Sequence, residues 1–177
     1  DEMKELYSYM KQCGKTTFLE VVAYTEEECM EGAKMGVACG VDYLLGTLYF
    51  DSINDYCKEN GMKYLPFVGT IEGRPSVLKG TMEEIIEQGK QCLAKGVAGF
   101  DLLGYRYVGD AVELNRRFVA ETPAPVVLAG SVNSYQRLDE VKAANPWAFT
   151  IGGAFFENKF DGTFAEQIDK VVDYINK

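Results

Sequence analysis

Two stretches of this 177-residue chain pair an apolar strand with a turn almost free of side chains: Ala129-Gly130-Ser131-Val132-Asn133-Ser134 and Ile151-Gly152-Gly153-Ala154-Phe155-Phe156. Such turns can do chemistry only through their backbone. Glycine lets the chain come close to a ligand, and N–H groups at the start of a helix carry partial positive charge. The pair suits one phosphate, held by Gly130 and Ser131 on one side and by Gly152, Gly153 and Ala154 on the other. Asn133 would add a side-chain donor, although Asn133 or Ser134 also suits the cap of the next helix.

Proton transfer has few candidates, because the chain has no histidine. That removes Ser-His-Asp and Cys-His mechanisms and leaves Asp, Glu, Lys, Cys or Tyr. Glu20 stands in the middle of the otherwise apolar "TTFLEVVAY". A carboxylate there faces the interior as a general acid or base with raised proton affinity, or it meets a buried cation. Glu72 and Arg74 lie in "GTIEGRPSVLKG", which exceeds a minimal turn and reads as a lid or binding loop. Arg106 ends "DLLGYR" and offers a planar donor fork to an anion.

Glu20, Glu72 and Arg106 are therefore the catalytic candidates, and Arg74, Thr47 and Asn133 the further substrate contacts. Asp101, early in "AGFDLLGY", reads as a structural carboxylate facing the helix layer or the far end of the sheet, and Asp42 as a solvated strand start. A Schiff-base enzyme needs a lysine near the strand tops, and Lys63 sits at the opposite end of its strand. No metal and no cofactor are required by these residues, although Glu20 and Asp101 would help hold a divalent ion if both faced inward.

Composition narrows the setting. A net charge of -9 argues against a nucleic-acid face, which needs clustered positive charge. No apolar run is long enough for a membrane span, and "DEMKELYSYM" is a charged amphipathic segment unlike a signal peptide. A cytoplasmic location is expected. The five cysteines lack CxxC spacing, which argues against a zinc site or a disulfide framework.

These residues need a scaffold. Apolar runs rich in Val, Leu, Phe and Tyr alternate with helical periodicity, and Gly or Pro falls at the joins. An opening helix leads to six strand–helix units, which implies a parallel α/β sheet covered on both faces and one domain over residues 1–177. Rhythm alone admits an open doubly wound sheet or a closed (β/α)8 barrel. Against the open sheet, the first turn, "AYTEEE", lacks a phosphate-binding glycine loop.

The order strand, AGS, helix, strand, "IGGAFFENKF", helix resembles the last quarter of the ribulose-phosphate-binding barrels. This TIM-barrel superfamily holds the histidine- and tryptophan-pathway isomerases and the mannosamine-phosphate epimerases. "FTIGGAFFENKF", including Lys159-Phe160, is most similar to the histidine-pathway isomerases. The resemblance implies a TIM barrel of which this chain covers strands three to eight. Two N-terminal strands would be missing, and the open edges would invite a homo-oligomer. It also implies phosphate binding at the two glycine turns.

The chain departs from those families at their catalytic groups. Leu103-Gly104-Tyr105-Arg106 stands where the histidine-pathway isomerases carry a Thr-Asp pair, and Ala129 stands where the epimerases carry a glutamate. The implied activity is thus an isomerase, epimerase or lyase that abstracts a proton beside a carbonyl of a small phosphorylated sugar or sugar acid. The rival is a non-catalytic or regulatory phosphosugar-binding barrel.

Overall fold

The structure is a computed structural model and describes residues 2–177. After helix α1 (Glu2–Gln12), the chain alternates through β1 (Phe18–Ala23), α2 (Glu26–Cys39), β2 (Tyr43–Thr47), α3 (Asp51–Glu59) and β3 (Lys63–Leu65). A hairpin of β4 (Thr70–Glu72) and β5 (Val77–Lys79) follows, then α4 (Met82–Ala94), β6 (Phe100–Leu102), a 3-10 turn at Gly104–Arg106 and α5 (Ala111–Glu121). The last units are β7 (Val126–Leu128), α6 (Tyr135–Ala144), β8 (Ala148–Phe149), the single turn α7 (Gly153–Phe156) and α8 (Phe164–Ile175).

Side-chain caps fix where the helices begin. Thr25 accepts from Glu28 N and Ser134 from Arg137 N, while Thr81 with Glu84 and Thr163 with Glu166 form complete capping boxes. Ser134 is thus the cap of α6, and Asn133 keeps its side chain free of that task.

The strands β1-β2-β3 and β6-β7-β8 form two parallel groups. They join where Phe67 pairs with Asp101, with Asp101 N donating to Pro66 O at 3.1 Å. The result is one arc in the order β1, β2, β3, β6, β7, β8. No ladder joins β8 to β1 among the described residues. At that seam Trp147 packs on Tyr43 and Phe18, with ring centroids 5.3 and 5.9 Å apart.

Side chains on the outer face of the arc, including Leu44, Tyr64, Phe100 and Leu128, pack with Ile53, Ile85 and Phe118 of the helices. Phe100 and Phe118 meet edge to face at 5.4 Å. The inner face is closed by Leu45, Leu65 and Val127, with Phe18, Tyr43 and Ala148 beside them.

Two regions differ from the sequence reading. The long connection after β3 is a hairpin, because Ile71 and Leu78 pair and bury on one face while Glu72 and Lys79 stay outside. The last helix is broken after Phe156: Asn158, Asp161 and Gly162 take left-handed φ values of 54°, 56° and 116°, and Thr163 starts α8 afresh.

Candidate functional site

The two glycine turns face one cavity of about 320 Å³ at the C-terminal ends of the strands. Gly130 to Asn133 line one side, Thr150 and Gly152 to Ala154 another, and Glu20 and Arg106 share the same space. Gly130 and Ser131 are both left-handed, at φ 85° and 56°. A serine in that region is strained. None of the backbone N–H groups of Gly130, Ser131, Gly152, Gly153 and Ala154 donates to a backbone carbonyl among the described residues. Among the described residues no protein acceptor meets these donors, and the residues that carry them line the cavity.

Glu20 reaches the cavity from β1 because Gly46 makes room. A Cβ at Gly46 would stand 2.7 Å from Glu20 Cγ, and Gly46 takes φ 85° at a register break between β1 and β2. Glu20 is exposed to solvent at the cavity, although neighbouring protein thins the hydration of its carboxyl. That partial loss of hydration raises its proton affinity, and the Arg106 guanidinium opposes the rise without cancelling it. Arg106 itself has no ion pair with a carboxylate among the described residues.

Asp101 faces the interior, contrary to the structural placement that the sequence suggests. It is fully buried, and neither carboxyl oxygen has a hydrogen-bond partner among the described residues. Burial pushes its pKa well above the usual carboxylate range, and the negative charge of Glu20 adds to the rise. The Gly46 N–H lies on the same side and lowers it in part, without reaching hydrogen-bond geometry.

Three candidates lie elsewhere. Thr47 is fully buried in the helix layer, where its hydroxyl meets Tyr64 Oη at 2.9 Å. Glu72 is exposed on the hairpin and pairs with Lys79. Arg74 donates to Val22 O at 3.3 Å and stacks over the Tyr24 ring at 5.1 Å, outside the cavity lining. The hairpin instead contributes Ser76, whose hydroxyl lies 2.6 Å from Tyr24 Oη. Ser76, Thr150 and Glu157 line the cavity without having been singled out by type or spacing.

A wider, more open depression of about 620 Å³ lies at the opposite end, among Lys11, Lys15, Asp42 and Lys63. Its carboxylate is already engaged: Asp42 accepts from Thr17 N and Oγ1, each at 2.8 Å, and pairs with Lys11 at 3.2 Å. The hydrogen bonds from Thr17 hold Asp42 below the usual carboxylate range. The two glycine turns, Glu20 and Arg106 lie at the other end of the strands. No group of three or more Cys, Asp or Glu side chains among the described residues is placed to hold a metal ion. No helix among them is long and apolar enough to cross a membrane.

The fold defines the class: an α/β chain whose structural neighbours are TIM-barrel-type proteins. A native KDPGal structure matches with a TM-score of 0.63 at 10% identity, over 98% of this chain and 73% of that one. Tryptophan synthase from M. tuberculosis in an open form matches with a TM-score of 0.63 at 15% identity, over 98% and 66%. A Schiff-base-forming fructose-1,6-bisphosphate aldolase matches with 0.57 at 14% identity, over 78% and 61%. At these identities the likeness is one of fold, and the chain spans between 61% and 73% of those proteins. No protein-family model and no curated protein sequence matches the chain.

Proposed function

We propose that this chain is a phosphosugar-binding enzyme of the TIM-barrel type, an isomerase, epimerase or lyase that moves a proton beside a carbonyl. One observation carries the reading: two turns with unoccupied N–H donors, a glutamate of raised proton affinity and an arginine line one cavity. In this reading the phosphate is held by the amides of Gly130, Ser131, Gly152, Gly153 and Ala154, with Asn133 at the rim. Arg106 neutralises a second anionic group or a developing oxyanion. Glu20, held by β1 against Gly46, takes and returns the proton. Binding energy from the phosphate holds the reacting carbon against that carboxylate.

The neighbours described as KDPGal and as a fructose-bisphosphate aldolase support sugar-phosphate chemistry of this kind. A Schiff-base route needs a lysine, and none lines the cavity. The proton-transfer route therefore fits these residues better. The test is a panel of three- to six-carbon sugar and sugar-acid phosphates, followed by thermal shift and by phosphorus NMR for turnover. The expected result is stabilisation by a subset with conversion of at least one. Stabilisation without turnover assigns a non-catalytic binding barrel, and no stabilisation by any phosphate removes the reading.

A further inference from the structure

Asp101 takes no part in the reading above, yet its surroundings demand a physical reason. Along β6 it pairs in register with Val127 of β7 and bridges to Phe67 beyond β3, so two of its neighbours are apolar. From β1 the Glu20 charge raises its proton affinity further, and from β2 the Gly46 N–H lowers it in part. No cation pairs with it among the described residues, and the Arg106 charge is felt at Glu20. An ionised carboxyl in that setting, with both oxygens unpaired by protein, is among the costliest groups a protein can bury. A neutral carboxylic acid costs far less, and it brings a donor where a carboxylate has none.

We propose that Asp101 is a positioning residue for Glu20: it remains a neutral acid at physiological pH and turns its O–H toward the Glu20 carboxylate beside Gly46. The inner carboxyl keeps the proton, and the outer one, reached by solvent and beside Arg106, carries the charge and stays free to accept another. The two carboxyls thus divide their roles by environment, as paired acids in a partly dry site do. This inference rests on the reading of Glu20 as the acid–base group.

The test needs no substrate. Carbon-13 carboxyl titration of the intact chain, with resonances assigned through Asp101→Asn and Glu20→Gln, should show Asp101 still protonated at neutral pH. An infrared carbonyl band of a protonated acid should vanish in Asp101→Asn. Asparagine keeps a donor, so the Glu20 midpoint should hardly move in that variant. Asp101→Leu removes the donor and should raise it.

An ionised Asp101 at neutral pH overturns the proposal. So does a fall of the Glu20 midpoint by about one unit or more in Asp101→Asn, because that is the signature of a removed negative neighbour. An unchanged midpoint in Asp101→Leu overturns the hydrogen bond. Should Asp101→Leu fail to fold, the wild-type titration and the near-isosteric Asp101→Asn decide the question. Failure of every sugar phosphate to bind would remove the functional reading and leave these titrations standing.

Discussion

The side chain of Arg106 lies across Gly130, so that a Cβ at Gly130 would stand 2.8 Å from Arg106 Cγ and 3.3 Å from Cδ. Gly130 also takes φ 85°, where a side chain is strained whatever the space. One glycine therefore serves both the turn and the placement of the arginine. Gly130→Ala should lower stability by about 1–3 kcal/mol from strain and crowding together, and should weaken phosphate affinity at least about tenfold by tilting Arg106 and the turn. Thermal unfolding and isothermal titration with inorganic phosphate check the two effects separately. Unchanged affinity would mean that Arg106 does not depend on this contact.

Gly152 offers the contrasting case. A Cβ there meets no atom within 4 Å. Gly152→Ala should fold with a melting temperature near that of the parent, yet the added methyl occupies space beside the donors of the second turn. Phosphate or sugar-phosphate binding should fall by about tenfold or more while stability falls by no more than about 1 kcal/mol. A variant that binds as well as the parent would show that the ligand does not approach Gly152.

Ser131 holds a left-handed φ of 56° without being glycine, which costs about 1–2 kcal/mol. Strain of this sort persists where surrounding structure or function imposes it. Ser131→Gly should raise stability by up to about 1 kcal/mol, once the greater freedom of the unfolded glycine is set against the relief. It should also weaken ligand binding if the serine hydroxyl contributes a bond. Paired thermal melts with and without phosphate measure both. A destabilised Ser131→Gly would mean that the hydroxyl supports the turn itself.

Glu20 has its proton affinity raised by incomplete hydration and lowered by Arg106. If it acts as the base in its charged form, kcat/KM should fall on acidification through a midpoint above the ordinary glutamate value of about 4.3. Arg106→Met removes the opposing cation, so the acidic limb should move to higher pH in addition to any loss of rate. Glu20→Gln should abolish turnover while the thermal shift by phosphate survives. An acidic limb that stays in place in Arg106→Met would separate the two residues electrostatically.

Much of this arrangement was legible in the residues. The βα rhythm stood out because strands buried on both faces are continuous apolar runs, and each glycine turn follows such a run directly. Their meeting at one cavity follows from parallel strands that end on the same side. Side-chain direction was harder to read. Glu20 was marked by its charge, but β6 has only three residues, all buried, so no alternation told which way Asp101 points. At Thr47 the alternation itself fails: Gly46, left-handed beside the register break, sends Thr47 into the helix layer. Glu72 and Arg74 looked like lid residues because each arm of their hairpin is three residues long, too short to show a period of two. Ser76 and Thr150 are ordinary polar residues that only the fold brings to the cavity.

Asp101 also makes a statement about stability. Its folded-state pKa is raised well above the usual carboxylate range by burial, and further by Glu20. The folded chain therefore binds more protons at this residue than the unfolded chain does. Stability is greatest below the unfolded pKa and declines as pH rises from there to the folded pKa, by at most about 1.4 kcal/mol per unit. Asp101→Asn keeps the shape and removes the titration, so the variant should match the parent near pH 4 and exceed it increasingly toward pH 8. A gain of about 1–3 kcal/mol at the upper end is the expected scale for relieving one buried acid. In a chain of this size that corresponds to a rise in melting temperature of about 2–10 °C. Glu20 contributes a decline of the same sign, smaller because solvent reaches it, and present in both proteins. Melting curves of the two proteins across that pH range decide the point. A constant difference would mean that the carboxyl titrates as it does in the unfolded chain, and a parent that gains on the variant toward pH 8 would mean that it is stabilised as an anion.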